Sequence, residues 1–205
     1  MESLALEPLS LLGWIVLFPL IGAIINGVAG SKLPRKLVHW TGCGAILLSF
    51  LFSLTSALTL FNNGHGGEHG THYGEFTFTA YEWIYAGGLE LDIAFLFDPL
   101  TAVMTLVITG VGFLIHVYSI GYMEDDPGVW RYFAYLNLFC FAMLMLVLGK
   151  NMLVTFIGWE GVGLCSYLLI GFWYEDDDNA VAGQKAFIVN RVGDFAFLAG
   201  LFLLY

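Results

Sequence analysis

Charged residues are scarce in this sequence, and positive charge is the scarcer sign. Asp, Glu, Lys and Arg make up 12% of the 205 residues, against about 25% in an average soluble domain. The 7 Lys and Arg residues exclude a nucleic-acid-binding protein, which needs basic patches to neutralise phosphates, and a polybasic protein of the membrane surface. Because 59% of the residues are hydrophobic, a water-soluble fold is excluded as well.

Cysteine is also rare. Cys43, Cys140 and Cys165 all lie within apolar runs and show no C-x-x-C spacing, so we interpret them as small buried hydrophobic residues that indicate no redox compartment. The first apolar run is preceded by Glu2 and Glu7 without any Lys or Arg, whereas a cleavable signal sequence opens with a basic stretch. We therefore expect this run to be a permanent span.

Long apolar runs are what the sequence has in abundance. A bilayer core about 30 Å thick needs about 20 apolar residues in each helical span, and hydropathy predicts six spans. The predicted fold is an all-α integral membrane bundle that forms a single domain, 1–205. Its spans are predicted at 9–30, 37–61, 99–122, 132–149, 152–173 and 186–205.

The few cations are unevenly distributed between the two sides of the predicted bundle. One side receives Lys32, Arg35, Lys36, Arg131 and Lys185, whereas the other receives only Lys150. Basic residues favour the cytoplasmic side of a membrane. The sequence therefore predicts that the N-terminus lies outside.

The outer loop 62–92 is long enough to have structure of its own. Apolar and polar residues alternate on both sides of Gly87 and Gly88, which predicts a small β-hairpin on the outer surface, suited to contact with a neighbour. After it, Asp98 and Pro99 are a suitable N-cap and first-turn pair for the third helix.

A group of metal-ligand residue types lies in the same loop. His65, Glu68, His69 and His72 are surrounded by glycines and are weak candidates for a metal site. The competing interpretation is a flexible, solvated loop. We favour it, because glycine leaves the ligands unfixed and no Cys or second cluster supports them.

The informative residues are the ionisable ones inside the spans. Glu160 lies about 12 Å from the outer end of the fifth helix, and Asp194 lies about 12 Å from the inner end of the sixth, at a rise of 1.5 Å per residue. In a core of about 30 Å their depths differ by only about 6 Å. Arg191 precedes Asp194 by three residues and shares its helical face, so all three are predicted to share one polar site.

Two interpretations of this site remain open. Arg191 can form a structural ion pair with Glu160 or Asp194 that holds two helices together. Alternatively, the two carboxylates compete for one guanidinium, which leaves one of them able to take up and release a proton. We favour the second, because ionisable groups within a membrane are functional by default. Arg191 itself stays charged and would tune the carboxylates.

The remaining polar features have simpler interpretations. His116 is expected near the inner interface with a solvated tip, and the run 175–178 is expected to be a solvated loop. Gly158, Gly161 and Gly163 are expected to let helices pack closely.

Several stretches closely resemble a known family. They are L-F-D-P-L-T-A-V-M, F-L-I-H-V-Y-S-I-G-Y-M, R-Y-F-A-Y-L-N-L-F, F-I-G-W-E-G-V-G-L-C-S-Y-L-L-I-G-F-W and K-A-F-I-V-N-R-V-G-D. They resemble subunit L, the chain 5 family, of proton-pumping NADH:quinone oxidoreductase, respiratory complex I. The resemblance implies the N-terminal part of an antiporter-like fold of about fourteen helices with inverted repeats.

The resemblance also implies a function. Glu160 matches the family's proton-carrying glutamate, and Arg191 and Asp194 match the residues that tune it. No cofactor is expected in this chain, since NADH, FMN, the iron-sulfur clusters and quinone belong to partner subunits. The expected partners are other complex I membrane subunits, above all the adjacent antiporter-like subunit, with the lipid bilayer, protons and water. The expected location is the bacterial inner membrane, with the mitochondrial inner membrane as the alternative.

The usual partner of the family's glutamate is a lysine on the seventh helix, beyond Tyr205. Two alternatives to the main interpretation remain. One is a subunit of a multisubunit Na+/H+ antiporter, which would share the same residues. The other is a structural membrane subunit whose buried charges only hold helices together.

Overall fold

The computed structural model describes residues 8–63, 74–86 and 89–204. Helices dominate this part of the chain, and six of them, the first with its extension, are long and apolar enough to cross a membrane. They are α1 (Pro8–Ile24), α2 (Arg35–Asn63), α3 (Pro99–Tyr122), α4 (Val129–Leu148), α5 (Met152–Ile170) and α6 (Asp177–Leu204). The predicted all-α membrane fold with six spans is confirmed.

The first helix contains a proline and continues past its end as irregular turns. Pro19 lies inside α1 and has no N–H to donate to the carbonyl of Ile15. The hydroxyl of Ser49 on α2 donates to that carbonyl instead, over 2.7 Å. A π-helical turn (Ile25–Ala29) and a 3-10 turn (Gly30–Lys32) follow. The proline is tolerated because a neighbouring helix satisfies the freed carbonyl.

Helices α1 to α4 pack against one another, α5 packs along α4, and α6 packs along α5 at the edge of the bundle. Two apolar clusters occupy opposite ends of the bundle, and buried polar side chains lie between them. The first cluster includes Leu12, Phe97, Leu144 and Val154, the second includes Val38, Met123 and Phe133, and the polar residues between them include Ser49, Thr109, His116 and Asn137.

The predicted hairpin is confirmed between the second and third helices. Strand β1 (Phe76–Ala86) pairs antiparallel with strand β2 (Leu89–Phe97), with two register irregularities in β1. Phe95 and Phe97 of β2 are buried in the apolar cluster of the bundle. The hairpin therefore packs on its own helices.

Asp98 connects the hairpin to α3 as predicted. Its Oδ1 accepts the N–H of Thr101 at 2.7 Å, and its own N–H donates to the Thr101 hydroxyl at 2.7 Å. With Pro99 in the first turn, this capping box satisfies N–H groups that the helix itself leaves free.

The hairpin also fixes the start of α5. The N–H of Lys150 donates to the carbonyl of Ala94 at 2.9 Å, and the side-chain amide of Asn151 donates to the carbonyl of Asp92 at 2.7 Å. The same amide side chain caps α5, because its Oδ1 accepts the N–H of Val154 at 2.9 Å. Asn151 thus holds the hairpin and the helix that carries Glu160 in one arrangement.

Several predicted boundaries are wrong, among them the end of α5, which is Ile170 and not 173. Helix α4 begins at Val129, three residues before the predicted start, and α6 begins at Asp177, nine residues before it. Asp177 and Asp178 therefore form the first turn of α6 and are not part of a loop. Acidic residues stabilise a helix N-terminus. A helix of 28 residues is about 42 Å long, which is longer than the hydrocarbon core of about 30 Å. Hydropathy detects only the apolar part of α6 and misses its polar first turns.

Candidate functional site: a shared ion pair between two membrane helices

Two glycines lie on the side of α5 that packs against α4. A Cβ atom at Gly158 would lie 2.6 Å from the Cα of Leu146 on α4, and one at Gly161 would lie 2.9 Å from the Cβ of Ala142. These distances leave no room for a side chain, so the two glycines let α4 and α5 approach closely, as predicted. A Cβ at Gly163 would instead lie 3.6 Å from the guanidinium of Arg191.

The three ionisable residues predicted to share a site do meet. Arg191 of α6 contacts the carboxylate of Glu160 on α5 directly through Nη1. Its Nε lies 3.5 Å from Oδ2 of Asp194, one helical turn further along α6. A single guanidinium therefore serves two carboxylates through two different edges.

The two carboxylates differ in burial. The side chain of Asp194 is 4% exposed, whereas those of Glu160 and Arg191 are 27% and 34% exposed. The group carries two negative charges and one positive charge when both acids are ionised, so the uptake of one proton makes it neutral.

The sequence did not reveal the second partner of Asp194. The indole N–H of Trp159 donates to Oδ1 of Asp194 over 2.7 Å. Trp159 lies 35 residues earlier in the chain and next to Glu160, and no local spacing connects it to Asp194. Only the packing of α5 against α6 brings the two together.

Phe187 and Asn190 complete the surroundings of the ion pair. The Arg191 guanidinium lies 4.4 Å from the centre of the Phe187 ring, a cation–π contact that the i, i+4 spacing on α6 could have indicated. Asn190 borders a cavity of about 190 Å³ that also adjoins Trp159, Gly163 and Asp194. The lining of this cavity is mostly apolar, with Asn190 and Asp194 as its polar side chains.

The expectation for His116 is wrong. Its side chain is fully buried, Nδ1 lies 2.7 Å from the carbonyl of Gly112, and the ring lies edge-on to Phe133 at 5.9 Å. Within the described residues, Nε2 has no hydrogen-bond partner. Depth along a helix follows from the sequence, but the direction a side chain faces depends on packing, and this face of α3 is turned inward.

The other predicted candidates have different outcomes. Cys140 and Cys165 are buried and Cys43 is half-buried, all three unpaired. Within 8–63, 74–86 and 89–204, no three His, Cys, Asp or Glu residues are grouped closely enough to hold a metal ion. The weak metal candidates lie outside the described residues and stay a prediction; they are His65, Glu68, His69 and His72.

Two family models match separate parts of the chain. The family described as NADH-Ubiquinone oxidoreductase (complex I), chain 5 N-terminus, matches residues 83–133, which include β2, α3 and the start of α4. The family described as NADH:quinone oxidoreductase/Mrp antiporter, TM, matches residues 149–205. The second match contains the whole shared ion pair.

Curated relatives match almost the whole chain. NADH-quinone oxidoreductase subunit L of Neisseria meningitidis is 42% identical over 91% of this chain and 27% of the relative. The proteins of the same name from Mycobacterium tuberculosis and Pseudomonas aeruginosa are 44% and 41% identical over 93% and 96% of this chain, and over 29% and 31% of their own lengths. The chain thus spans less than a third of these relatives.

A solved structure shares the fold. A chain of the membrane-bound sulfane sulfur reductase, an archaeal respiratory membrane complex, superposes with a TM-score of 0.73 and 20% identity over 95% of this chain and 37% of that chain. Together with the two family models and the subunit L relatives, this match agrees with the resemblance that the sequence motifs carry. The chain belongs to the antiporter-like membrane subunits of the NADH:quinone oxidoreductase and Mrp antiporter family, in the group of subunit L (chain 5).

Proposed function

We propose that this chain is part of a proton-translocating subunit of NADH:quinone oxidoreductase and that Glu160 carries the proton. The main observation in support is that Arg191 contacts the carboxylates of both Glu160 and the buried Asp194, which lie on two adjacent membrane helices. A charge at this depth costs about 2.5–3.5 kcal/mol on insertion scales. One cation for two carboxylates leaves one acid undercompensated, and that acid binds a proton when its surroundings change.

The roles of the three residues follow from their geometry. Glu160 is the more exposed acid and exchanges the proton. Arg191 stays charged at every relevant pH, so it tunes Glu160 by moving closer to it or to Asp194. Asp194 holds the other edge of the guanidinium. The family resemblance adds a lysine on a seventh helix as the next proton site.

Electron transfer would take place in other subunits. NADH, FMN, iron-sulfur clusters and quinone would bind there, and their redox energy would drive the protonation changes here. In the described residues the three cysteines lie on different helices, α2, α4 and α5, so these residues do not fit an iron-sulfur cluster, which takes four cysteine ligands. The proposed partners are the other membrane subunits, above all the adjacent antiporter-like subunit.

The proposed location is the bacterial inner membrane, with the N-terminus outside. The uneven distribution of Lys and Arg supports this orientation. Arg35, in the first turn of α2, donates to the backbone carbonyl of Glu124 between α3 and α4, which is consistent with one basic side for both connections.

A Na+/H+ antiporter subunit is the second candidate, and the family description that names the Mrp antiporter favours it. The two candidates differ in their energy source. Proton translocation that requires NADH oxidation supports the complex I function. Proton movement driven by a Na+ gradient without NADH supports the antiporter.

The substitution Glu160→Gln in the assembled membrane complex tests the proposal. Glutamine has the size of glutamate and can still accept a hydrogen bond from Arg191, but it cannot carry a proton. We expect normal amounts of assembled complex and a strong loss of NADH-driven proton uptake by inside-out vesicles. The matched control is Glu175→Gln, the same change at an exposed residue between α5 and α6. Unchanged pumping in Glu160→Gln would favour the structural-subunit alternative.

A further inference from the structure

The Asp194 carboxylate has one hydrogen bond and one ion-pair contact, each at a different oxygen. Oδ1 accepts the indole N–H of Trp159 at 2.7 Å, and Oδ2 faces Nε of Arg191 at 3.5 Å. Asp194 as a residue is only 3% exposed. A buried carboxylate needs hydrogen bonds to replace those it had with water. Among the described residues Oδ2 of Asp194 and Nε of Arg191 have no hydrogen-bond partner, so the neutral indole supplies the hydrogen bond that this carboxylate receives.

The Trp159 ring is itself held in place. It stacks on Phe197 of α6, with ring centres 6.2 Å apart and planes inclined by 17°, and Phe197 stacks in turn on Phe156 at 5.5 Å. The neighbouring Gly158 packs against the backbone of α4. Ring stacking thus supports the indole on the side of α6 that carries Asp194.

We propose that Trp159 is a positioning residue that keeps the Asp194 carboxylate turned toward Nε of Arg191, so that the guanidinium remains divided between Asp194 and Glu160. The inference rests on the proposed function of Glu160. Trp159 and Glu160 are consecutive residues of α5, and each contacts one side of the group that Arg191 joins. Any movement of α5 relative to α6 therefore acts on both carboxylates at once.

Removal of the indole donor has a definite consequence. Oδ1 of Asp194 loses its hydrogen bond, and the ionised carboxylate keeps only the longer contact with Arg191. Without that hydrogen bond the carboxylate is free to turn away from Nε of Arg191, toward the cavity of about 190 Å³ that it borders together with Trp159. Arg191 then pairs with Glu160 alone, which holds Glu160 ionised and hinders its proton uptake.

The test is Trp159→Phe in the assembled complex, with NADH-driven proton uptake by vesicles as the measurement. Trp173→Phe is the matched control: the indole of Trp173 also donates to an aspartate, Asp126, over 2.7 Å, and both tryptophans are 47% exposed. We expect Trp159→Phe to lower the initial rate about tenfold, the equivalent of one hydrogen bond to a charged group. We expect Trp173→Phe to leave the rate unchanged.

A shape-preserving variant separates the hydrogen bond from the packing of the ring. Benzothienylalanine at position 159 keeps the size of the tryptophan ring, with sulfur in place of the N–H. We expect it to assemble normally and to match Trp159→Phe in rate. A wild-type rate with this side chain would overturn the proposal, including in the case that Trp159→Phe fails to assemble.

Two further readouts identify Asp194 as the group through which Trp159 acts. In an Asp194→Asn background, loss of the indole donor should change the rate by less than about twofold, because the two residues act as one unit. Infrared spectra of the Trp159 variants should show a shifted carboxylate band that Asp194→Asn removes, because one carboxylate oxygen has lost its hydrogen bond. Independent effects of the two substitutions, which would multiply in the double variant, or an unshifted band would refute the positioning role.

Failure of this inference is distinguishable from failure of the proposed function. If Glu160→Gln abolishes pumping while the Trp159 variants pump normally, the proton role of Glu160 stands and the role of Trp159 falls. If Glu160→Gln pumps normally, the proposed function itself falls.

Discussion

Replacement of Arg191 by lysine should separate the assembly of the bundle from proton translocation. Arginine reaches Glu160 through Nη1 and faces Asp194 through Nε, and its guanidinium also covers the Phe187 ring. Lysine keeps the charge but has a single nitrogen on a flexible stem. It can therefore neutralise one carboxylate well but cannot serve both through separate edges.

The magnitudes follow from the contacts that are lost. The Nε of Arg191 and Oδ2 of Asp194 form an ion-pair contact at 3.5 Å without a hydrogen bond between them, and a partly exposed ion pair contributes up to about 1 kcal/mol. The cation–π contact adds about 0.5–1 kcal/mol at a partly exposed site. Arg191→Lys should thus cost about 1–2 kcal/mol. Arg191→Ala should cost about 3–5 kcal/mol, because it leaves the buried Asp194 without a cation.

Two assays on the assembled complex check this prediction. The midpoint of thermal dissociation in mild detergent reports stability, and NADH-driven proton uptake reports function. We expect Arg191→Lys to assemble with strongly reduced uptake, and Arg191→Ala to lose both. Adding Asp194→Asn to Arg191→Ala should recover assembly but not uptake. Full uptake with lysine, or wild-type stability with alanine, would refute the sharing of one guanidinium.

Two further predictions concern the packing that holds the site. Ser49→Ala should lower the stability of the bundle by about 1–3 kcal/mol, because the Ile15 carbonyl freed by Pro19 loses its buried hydrogen-bond donor. Ser53→Ala is the control, since the Ser53 hydroxyl donates to a carbonyl of its own helix. Gly158→Ala should cost about 1–3 kcal/mol by forcing α4 and α5 apart, whereas Gly44→Ala, with open space around its Cβ position, should be neutral or stabilising. Thermal dissociation midpoints check both pairs, and equal shifts within a pair would contradict them.

Much of the fold could be predicted because a membrane leaves few choices. Each backbone N–H and C=O in the hydrocarbon core needs a partner, so apolar runs of about 20 residues form helices. The alternating residues around Gly87 and Gly88 indicated the hairpin, and Asp98 with Pro99 indicated the start of α3. The start of α6 at Asp177 was missed, because that helix extends past its apolar part and hydropathy does not detect the polar turns.

The three charged residues of the site could be predicted from the sequence, but the contacts between their side chains could not. Glu160, Arg191 and Asp194 could be selected because charges are rare inside spans, and antiparallel helices with known rise bring them to a similar depth. The division of Arg191 between two carboxylates depends on side-chain directions. The contact of Trp159 with Asp194 depends on how α5 rotates about its axis, which is set by Gly158 and Gly161 against α4.

The sequence by itself determined that this protein is a membrane protein, where the six spans of the described residues lie, which family the chain resembles and which three charges lie within those spans. Only the tertiary structure decided which faces of the helices meet: that Asp194 is more deeply buried than Glu160, that His116 points inward, and that the Trp159 indole donates a hydrogen bond to Asp194. The physical reason is that hydropathy and helical rise give depth along one axis, whereas rotation about that axis is fixed by packing between helices distant in sequence.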